Sequence, residues 1–169
     1  VADKIGMERA QWSWGRYEAL DGGVVVNGGS GGLDKGMTLT PLALLLFGQL
    51  LLQGGEWAGE QIVSRAWIED ATRAQDFSNV PPWDVKEGWY RDCLPGTYGL
   101  HFWTNGIKFC SGQRMWPSVS PSAFAPQGNL NQICVVIPEW NSIVLRMGSD
   151  GAMDTDRYDE VLRIFHENA

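Results

Sequence analysis

A chain of 169 residues, 44% apolar and 20% charged, has the balance of a folded globular domain and not of a disordered segment. Its formal charge of -7 argues against a nucleic-acid groove or an anionic membrane surface as partner, because both select basic patches. No apolar run approaches the roughly 20 residues of a membrane-spanning helix, and no leader with a cleavage pattern opens the chain.

Residues 1–20 hold Trp12, Trp14 and Tyr17 without a clean period, which reads as turn and loop. The first residue is valine, as expected of a processed product or a piece of a longer protein. A short extended run at 24–26 leads into Gly28-Gly29-Ser30-Gly31-Gly32, too rich in glycine to be regular. The clearest helix follows: Thr40 can cap it, Pro41 suits its first position, residues 42–53 are strong helix formers, and Gly54-Gly55 supplies a left-handed stop. Leucine on almost every side predicts deep burial. Ser64 caps a second helix over 65–74, with Trp67, Ile68 and Ala71 on its apolar face.

Residues 75–95 are polar, aromatic and broken by Pro81, Pro82 and Pro95, which predicts a long functional or mobile loop. A strand is expected over 98–104, a turn at Asn105-Gly106, and loop with Trp116-Pro117 over 111–121. The apolar runs 133–137 and 142–147, joined by Pro138 to Asn141, read as an antiparallel hairpin covered on both faces. A final helix over 156–167 would place Val161, Leu162 and Phe165 on the sheet. The fold class is thus α/β in the broad sense, of the α+β kind, with helices first and an antiparallel sheet and terminal helix last. No repeat or linker interrupts it.

Metal chemistry finds little support. His101 and His166 stand far apart, and Asp150, Asp154, Asp156 and Asp159 miss the calcium-loop pattern. No cofactor motif is present. Cys93, Cys110 and Cys134 leave one thiol unpaired and form no C-x-x-C, so neither a disulfide scaffold nor a zinc site is expected, and buried or incidental thiols are. Gly28 to Gly32 satisfies G-x-S-x-G, but the nucleophile elbow needs a strand before Ser30 and a helix at once after it, and more glycine follows instead. Pro126-Gln127-Gly128-Asn129, ahead of the hairpin, places a glycine where backbone can come close to a ligand.

Several segments, taken in order, resemble one superfamily. They are Gly29-Ser30-Gly31-Gly32-Leu33, Met37-Thr38, the run from Phe47 to Trp57, Gln61-Ile62-Val63-Ser64, Trp67-Ile68, Tyr98-Gly99-Leu100 with Trp103, Trp116-Pro117, Ala123-Phe124, Gly128, Gln132, Val136-Ile137-Pro138 and Ile143 to Gly148. Over roughly residues 5–165 the chain is similar to serine β-lactamases and penicillin-binding proteins, in the branch of class C β-lactamases, esterases and 6-aminohexanoate-dimer hydrolases. The resemblance implies part of a β-lactamase/transpeptidase-like fold. Residues 1–97 would belong to its helical, loop-rich domain, and 98–169 would give the sheet strands and C-terminal helix of its α/β domain.

The resemblance also implies a serine hydrolase that acts on an ester or amide through an acyl-enzyme, β-lactam-like amides included. Such enzymes use a serine with a lysine three residues on, and often Y-x-N. No serine here has a lysine three residues on and no tyrosine has an asparagine two residues on, so the nucleophile is expected outside this chain, in an N-terminal catalytic segment. The chain alone would then be inactive. Its third motif would be Pro126-Gln127-Gly128, with Gly128 and the backbone N–H of Asn129 on the oxyanion side and Gln127 and Trp116 toward substrate. Proline in place of the motif's cation puts β-lactam hydrolysis in doubt; Asn131 and Pro41-Leu42 also depart from the family pattern. The implied partners are a small ester or amide and an N-terminal polypeptide of the same precursor or a second copy. A non-catalytic binding domain with a tryptophan-rich cleft is the alternative. Periplasmic or secreted and cytoplasmic placements both stay open.

Overall fold

The computed structural model describes residues 1–14, 18–21, 24–27, 36–75, 96–128, 131–148 and 155–168. They fall into two compact units, Val1–Phe47 and Gly48–Ala169. In the first, a 3-10 turn at Ala2–Ile5 ends on left-handed Gly6 and buries Ile5. A second turn, Arg9–Gln11, is capped by the Gln11 side chain, which accepts the Glu8 N–H at 3.0 Å. Strand β1 (Trp12–Trp14) pairs antiparallel with β4 (Met37–Leu39), and β2 (Glu18–Asp21) with β3 (Val24–Asn27). Where turn and loop are expected over 1–20, the described residues form turns and strands. The alternation Trp12-Ser13-Trp14 is a strand pattern too short to stand out in sequence. Ser30 and its glycines lie outside the described residues.

Helix α1 (Pro41–Leu52) forms as its end signals require. Thr40 Oγ1 accepts the Ala43 N–H at 3.2 Å, and Gly54 and Gly55, both at positive φ, donate to Leu51 and Leu50 carbonyls at 3.0 and 2.8 Å. Ala43, Leu44, Leu50 and Leu51 are buried, whereas Leu42 and Leu45 are 53% and 37% exposed. The helix is thus buried on one side and not all round, contrary to the expectation from its leucines.

In the second unit a tight hairpin joins β5 (Glu56–Trp57) to β6 (Glu60–Gln61) through Ala58 and Gly59, both left-handed. Helix α2 (Arg65–Ala71) starts on Ser64, whose hydroxyl accepts the Trp67 N–H, and it stops short of the expected end at 74. Trp67 is half exposed, which leaves Ile68 and Ala71 as the buried face.

Among the described residues five strands make the main sheet: β7 (Trp103–Thr104), β8 (Phe124–Ala125), β9 (Gln127–Gly128), β10 (Gln132–Ile137) and β11 (Ser142–Arg146). Their order is β11-β10-β8-β7, and β9 continues past Pro126 along β10. The β10–β11 hairpin takes the predicted place, with Ile133 opposite Arg146 and Ile137 opposite Ser142. Of the strand expected over 98–104 only its end enters the sheet, while Tyr98 folds back on Trp103.

Alternation in β10 puts Ile133, Val135 and Ile137 on one face, with Ala125 and Val144. Helix α3 (Thr155–Asn168) covers them with Tyr158 and Leu162, beside Met115, Trp116 and Val119. Trp140 stacks on His166 with centroids 4.2 Å apart, and the Ser118 N–H and hydroxyl both donate to the Asp159 carboxylate, at 2.7 and 2.8 Å. The opposite face carries Cys134 and Ile143, against the Gly48 end of α1. A Cβ on Gly48 would stand 2.8 Å from Cys134 Sγ. Both faces of the hairpin are covered, as its unbroken apolar run demands.

Backbone hydrogen bonds run from the Gln75 N–H to the Tyr98 carbonyl and from the Leu100 N–H to the Ala71 carbonyl, at 2.9 and 2.8 Å. Cys110 is disulfide-bonded, so the cysteines are not all incidental thiols; Cys134 is buried and in no disulfide.

Candidate functional site

Beyond Ala125 the described residues give the sheet no neighbour on one side. The ladder between β7 and β8 ends at the pair Trp103–Ala125, and among the described residues β9 pairs with β10 alone. Backbone groups along a strand alternate between its two edges. The Pro126 carbonyl accepts the Cys134 N–H at 3.1 Å, which turns the Gln127 N–H and C=O toward the open edge. Gln127 and Gly128 are exposed there.

Gly128 stands opposite Gln132 in a regular ladder, and its φ is not in the left-handed region. Among the described residues a Cβ on it would meet only the Gln132 side chain, Cβ at 3.5 Å and Cγ at 3.8 Å, which is ordinary contact. The fold does not need a glycine at this position.

Asn131 and Gln132, at the start of β10, are held from two directions. Asn131, at φ 63, presents its carbonyl to Arg146 Nη1 at 2.8 Å and to the Tyr158 hydroxyl at 3.4 Å. The Gln132 side-chain amide donates to the Gly148 carbonyl and accepts the Gly148 N–H, the latter at 3.0 Å. Of the residues expected at a site, Gln127 and Gly128 thus lie together on an accessible edge, and Asn129 lies outside the described residues. Trp116 is elsewhere. At 1% exposure it is packed in the core under α3, because its backbone is drawn in by Asn105, so its side chain offers no surface to a substrate.

Asn105 is the polar residue that sequence reading placed in a turn and the fold buries completely. Its amide nitrogen reaches the carbonyls of Trp116, Val119 and Ser120 at 2.9 to 3.0 Å, and its oxygen accepts the Trp116 N–H at 2.7 Å. Gly106 beside it permits close backbone approach, since a Cβ there would fall 1.7 Å from the Gly96 carbonyl oxygen. Burial pushes the Cys134 thiol up to about 12, so it is no nucleophile at neutral pH. Among the described residues no group of His, Cys, Asp and Glu could hold a metal, and no helix is long and apolar enough to cross a membrane.

Neither the protein-family models nor the curated proteins contain a match to the sequence. Among solved structures, a Bacillus anthracis protein provisionally named as a 6-aminohexanoate-dimer hydrolase superposes with a TM-score of 0.50 at 19% identity, over 79% of this chain. The chain carries part of a β-lactamase/transpeptidase-like fold. It spans 29% of that neighbour's length. Antiparallel sheet, C-terminal helix and adjoining α1 agree with the fold expected from the sequence.

Proposed function

We propose that the chain is the C-terminal part of a serine hydrolase of this superfamily, which cleaves an ester or amide through an acyl-enzyme. The observation that carries the reading is the open β9 edge, with outward backbone groups at Gln127 and a glycine at 128 that the fold itself does not require. A reacting carbonyl laid against that edge would meet a main-chain donor after Gly128, the N–H of Asn129, and a main-chain donor is indifferent to its side chain. Gln127 is the substrate-facing residue of the same edge. The nucleophile, with its Ser-x-x-Lys and Tyr-x-Asn motifs, comes from another segment.

Two exposed surfaces support a covering polypeptide. Strand β11 has β10 as its one strand partner among the described residues, and unpaired edges are usually covered. On α3, Asp159 faces the Ser118 turn, while half-exposed Val161, Ile164 and Phe165 lie round the opposite side of the helix. The occupant is an N-terminal polypeptide of the same precursor or, failing that, a second copy. The test is labelling by a serine-directed fluorophosphonate. Residues 1–169 alone should not label, and addition of a polypeptide bearing Ser-x-x-Lys should produce labelling on that polypeptide together with sharper melting. A cooperatively folding monomer of these residues that hydrolyses p-nitrophenyl esters unaided would overturn the reading and return attention to Ser30.

A further inference from the structure

Strand β7 stops where the open edge begins, and one residue accounts for both. Backbone groups that face a neighbouring strand recur at every second residue. The Asn105 N–H donates to the Ala123 carbonyl at 2.8 Å and Trp103 stands opposite Ala125, so the next pair in the same register would be His101 with Gln127. Among the described residues that pair is not made. His101 lies at φ 66, outside extended geometry, and the chain folds back so that the Gly99 N–H donates to the Phe102 carbonyl at 2.8 Å. The outward backbone groups of Gln127 are left beside the tip of this hairpin, across one to two strand spacings, roughly 5–10 Å.

The tip is built rigidly. Leu100 donates its N–H to the Ala71 carbonyl at 2.8 Å, at the end of α2, and a Cβ on Gly99 would fall 2.1 Å from that same oxygen. Tyr98 meets Trp103 edge-on with centroids 5.1 Å apart, and buried Phe102 meets Phe124 in the same way at 5.9 Å. A left-handed conformation strains a residue that has a Cβ, and histidine stands here where glycine would sit freely. Such strain gathers where side chains have a function. The imidazole is exposed and has no hydrogen-bond partner among the described residues, so the fold itself makes no use of it.

We propose that His101 is a substrate-binding residue, which hydrogen-bonds the tail of an ester or amide laid along β9 and so selects tails that carry an amide group. The inference rests on the hydrolase reading above and names a class of substrate for it. Gln127 aligns the substrate through its main chain, and His101 reads what lies beyond the reacting carbonyl. An imidazole suits an amide tail because one ring nitrogen donates and the other accepts. A hydrocarbon tail of the same shape would leave it unanswered.

The test compares two substrates on the complete protein: the p-nitrophenyl ester of N-acetyl-β-alanine, and its isostere in which a branched alkyl chain replaces the acetamide. His101→Gly removes the imidazole and relaxes the left-handed backbone, so the fold is kept and melting should not fall. It should lower kcat/KM on the acetamide ester by about three- to tenfold, the weight of one neutral hydrogen bond, and leave the isostere within about twofold. A second readout needs no turnover. N-acetyl-β-alanine methylamide, which is not cleaved under these conditions, is titrated in while NMR shifts are followed at the His101 ring and the Gln127 amide. Both should move along one saturation curve. Equal losses on the two esters, or none on the acetamide ester, overturn the proposal, as does a titration that moves Gln127 and not His101. A protein inert to both esters and to fluorophosphonate, in which both signals still move, refutes the hydrolase reading and leaves His101 a ligand-binding residue. Inertness with neither signal moving overturns both.

Discussion

Gly48 offers the sharpest energetic test of how α1 meets the sheet. It sits mid-helix at an ordinary helical φ, so alanine there should gain about 1 kcal/mol from backbone entropy alone. Against that gain, the new methyl would stand 2.8 Å from Cys134 Sγ and 3.3 Å from Ile143 Cγ2. Both neighbours belong to the hairpin, and Cys134 is fully buried with one rotatable bond, so relief requires the helix to lift or the thiol to leave its rotamer. Overpacking of this kind costs about 1–3 kcal/mol. The net expectation for Gly48→Ala is a loss of about 0–2 kcal/mol. Cys134→Ala removes the sulfur that the methyl meets, so in the double variant alanine should be accepted and its helix gain recovered. The cycle should return a favourable coupling of about 1–3 kcal/mol. Urea unfolding followed by tryptophan fluorescence measures each corner, with a constant m-value as the check that the native states are comparable. If Gly48→Ala stabilises by about 1 kcal/mol in both backgrounds, helix and sheet do not touch as described and the packing argument fails.

Gly128→Ala should leave stability within about 0.5 kcal/mol, as the room around it allows, whereas Gly128→Val should lower activity of the complete enzyme about a hundredfold and Asn129→Ala by less than about tenfold. Equal losses for the last two would remove the main-chain donor from the mechanism. Leu50→Ala should cost about 2–5 kcal/mol and Leu45→Ala under about 1 kcal/mol, in line with full burial of the first and exposure of the second, read from the same urea curves. Asn105→Ala leaves the Trp116 N–H and three carbonyl groups without their amide partner, and a loss of more than about 2 kcal/mol is expected; a smaller one would mean water replaces the side chain freely. Because burial raises the Cys134 thiol toward about 12, the fold favours its protonated form. That contribution is fully present below the usual thiol value of about 8.5 and fades as pH rises toward 12, by at most about 1.4 kcal/mol per pH unit. The difference between wild type and Cys134→Ala, followed from pH 8 to 10, should shrink accordingly; a constant difference would show an accessible thiol.

What was legible in sequence is what neighbours in the chain decide. Thr40, Pro41 and Gly54-Gly55 set the ends of α1 through local hydrogen bonds, and the runs on either side of Asn141 set the hairpin through β-branched content and a short connection. What was not legible depends on distant partners. Asn105-Gly106 has the composition of a turn, yet the amide serves carbonyl groups 11 to 15 residues away and the glycine lies against Gly96. Trp116 suited a binding cleft by type and ended in the core for the same reason. The edge at Gln127 and Gly128 followed from the glycine, while the Arg146 contact did not. Its signal was available, as a single cation in an apolar strand that had to find an acceptor.

The order of elements along the chain has a consequence for how the protein is made. Ile133, Val135 and Ile137 emerge from the ribosome before α3, whose Tyr158 and Leu162 cover them, and Asp159 reaches back across 41 residues to Ser118. During synthesis the hairpin therefore spends an interval with one apolar face bare. In that interval a nascent chain is open to chaperones and to mispairing with its neighbours, and a ribosome stalled short of Tyr158 would release a sticky sheet.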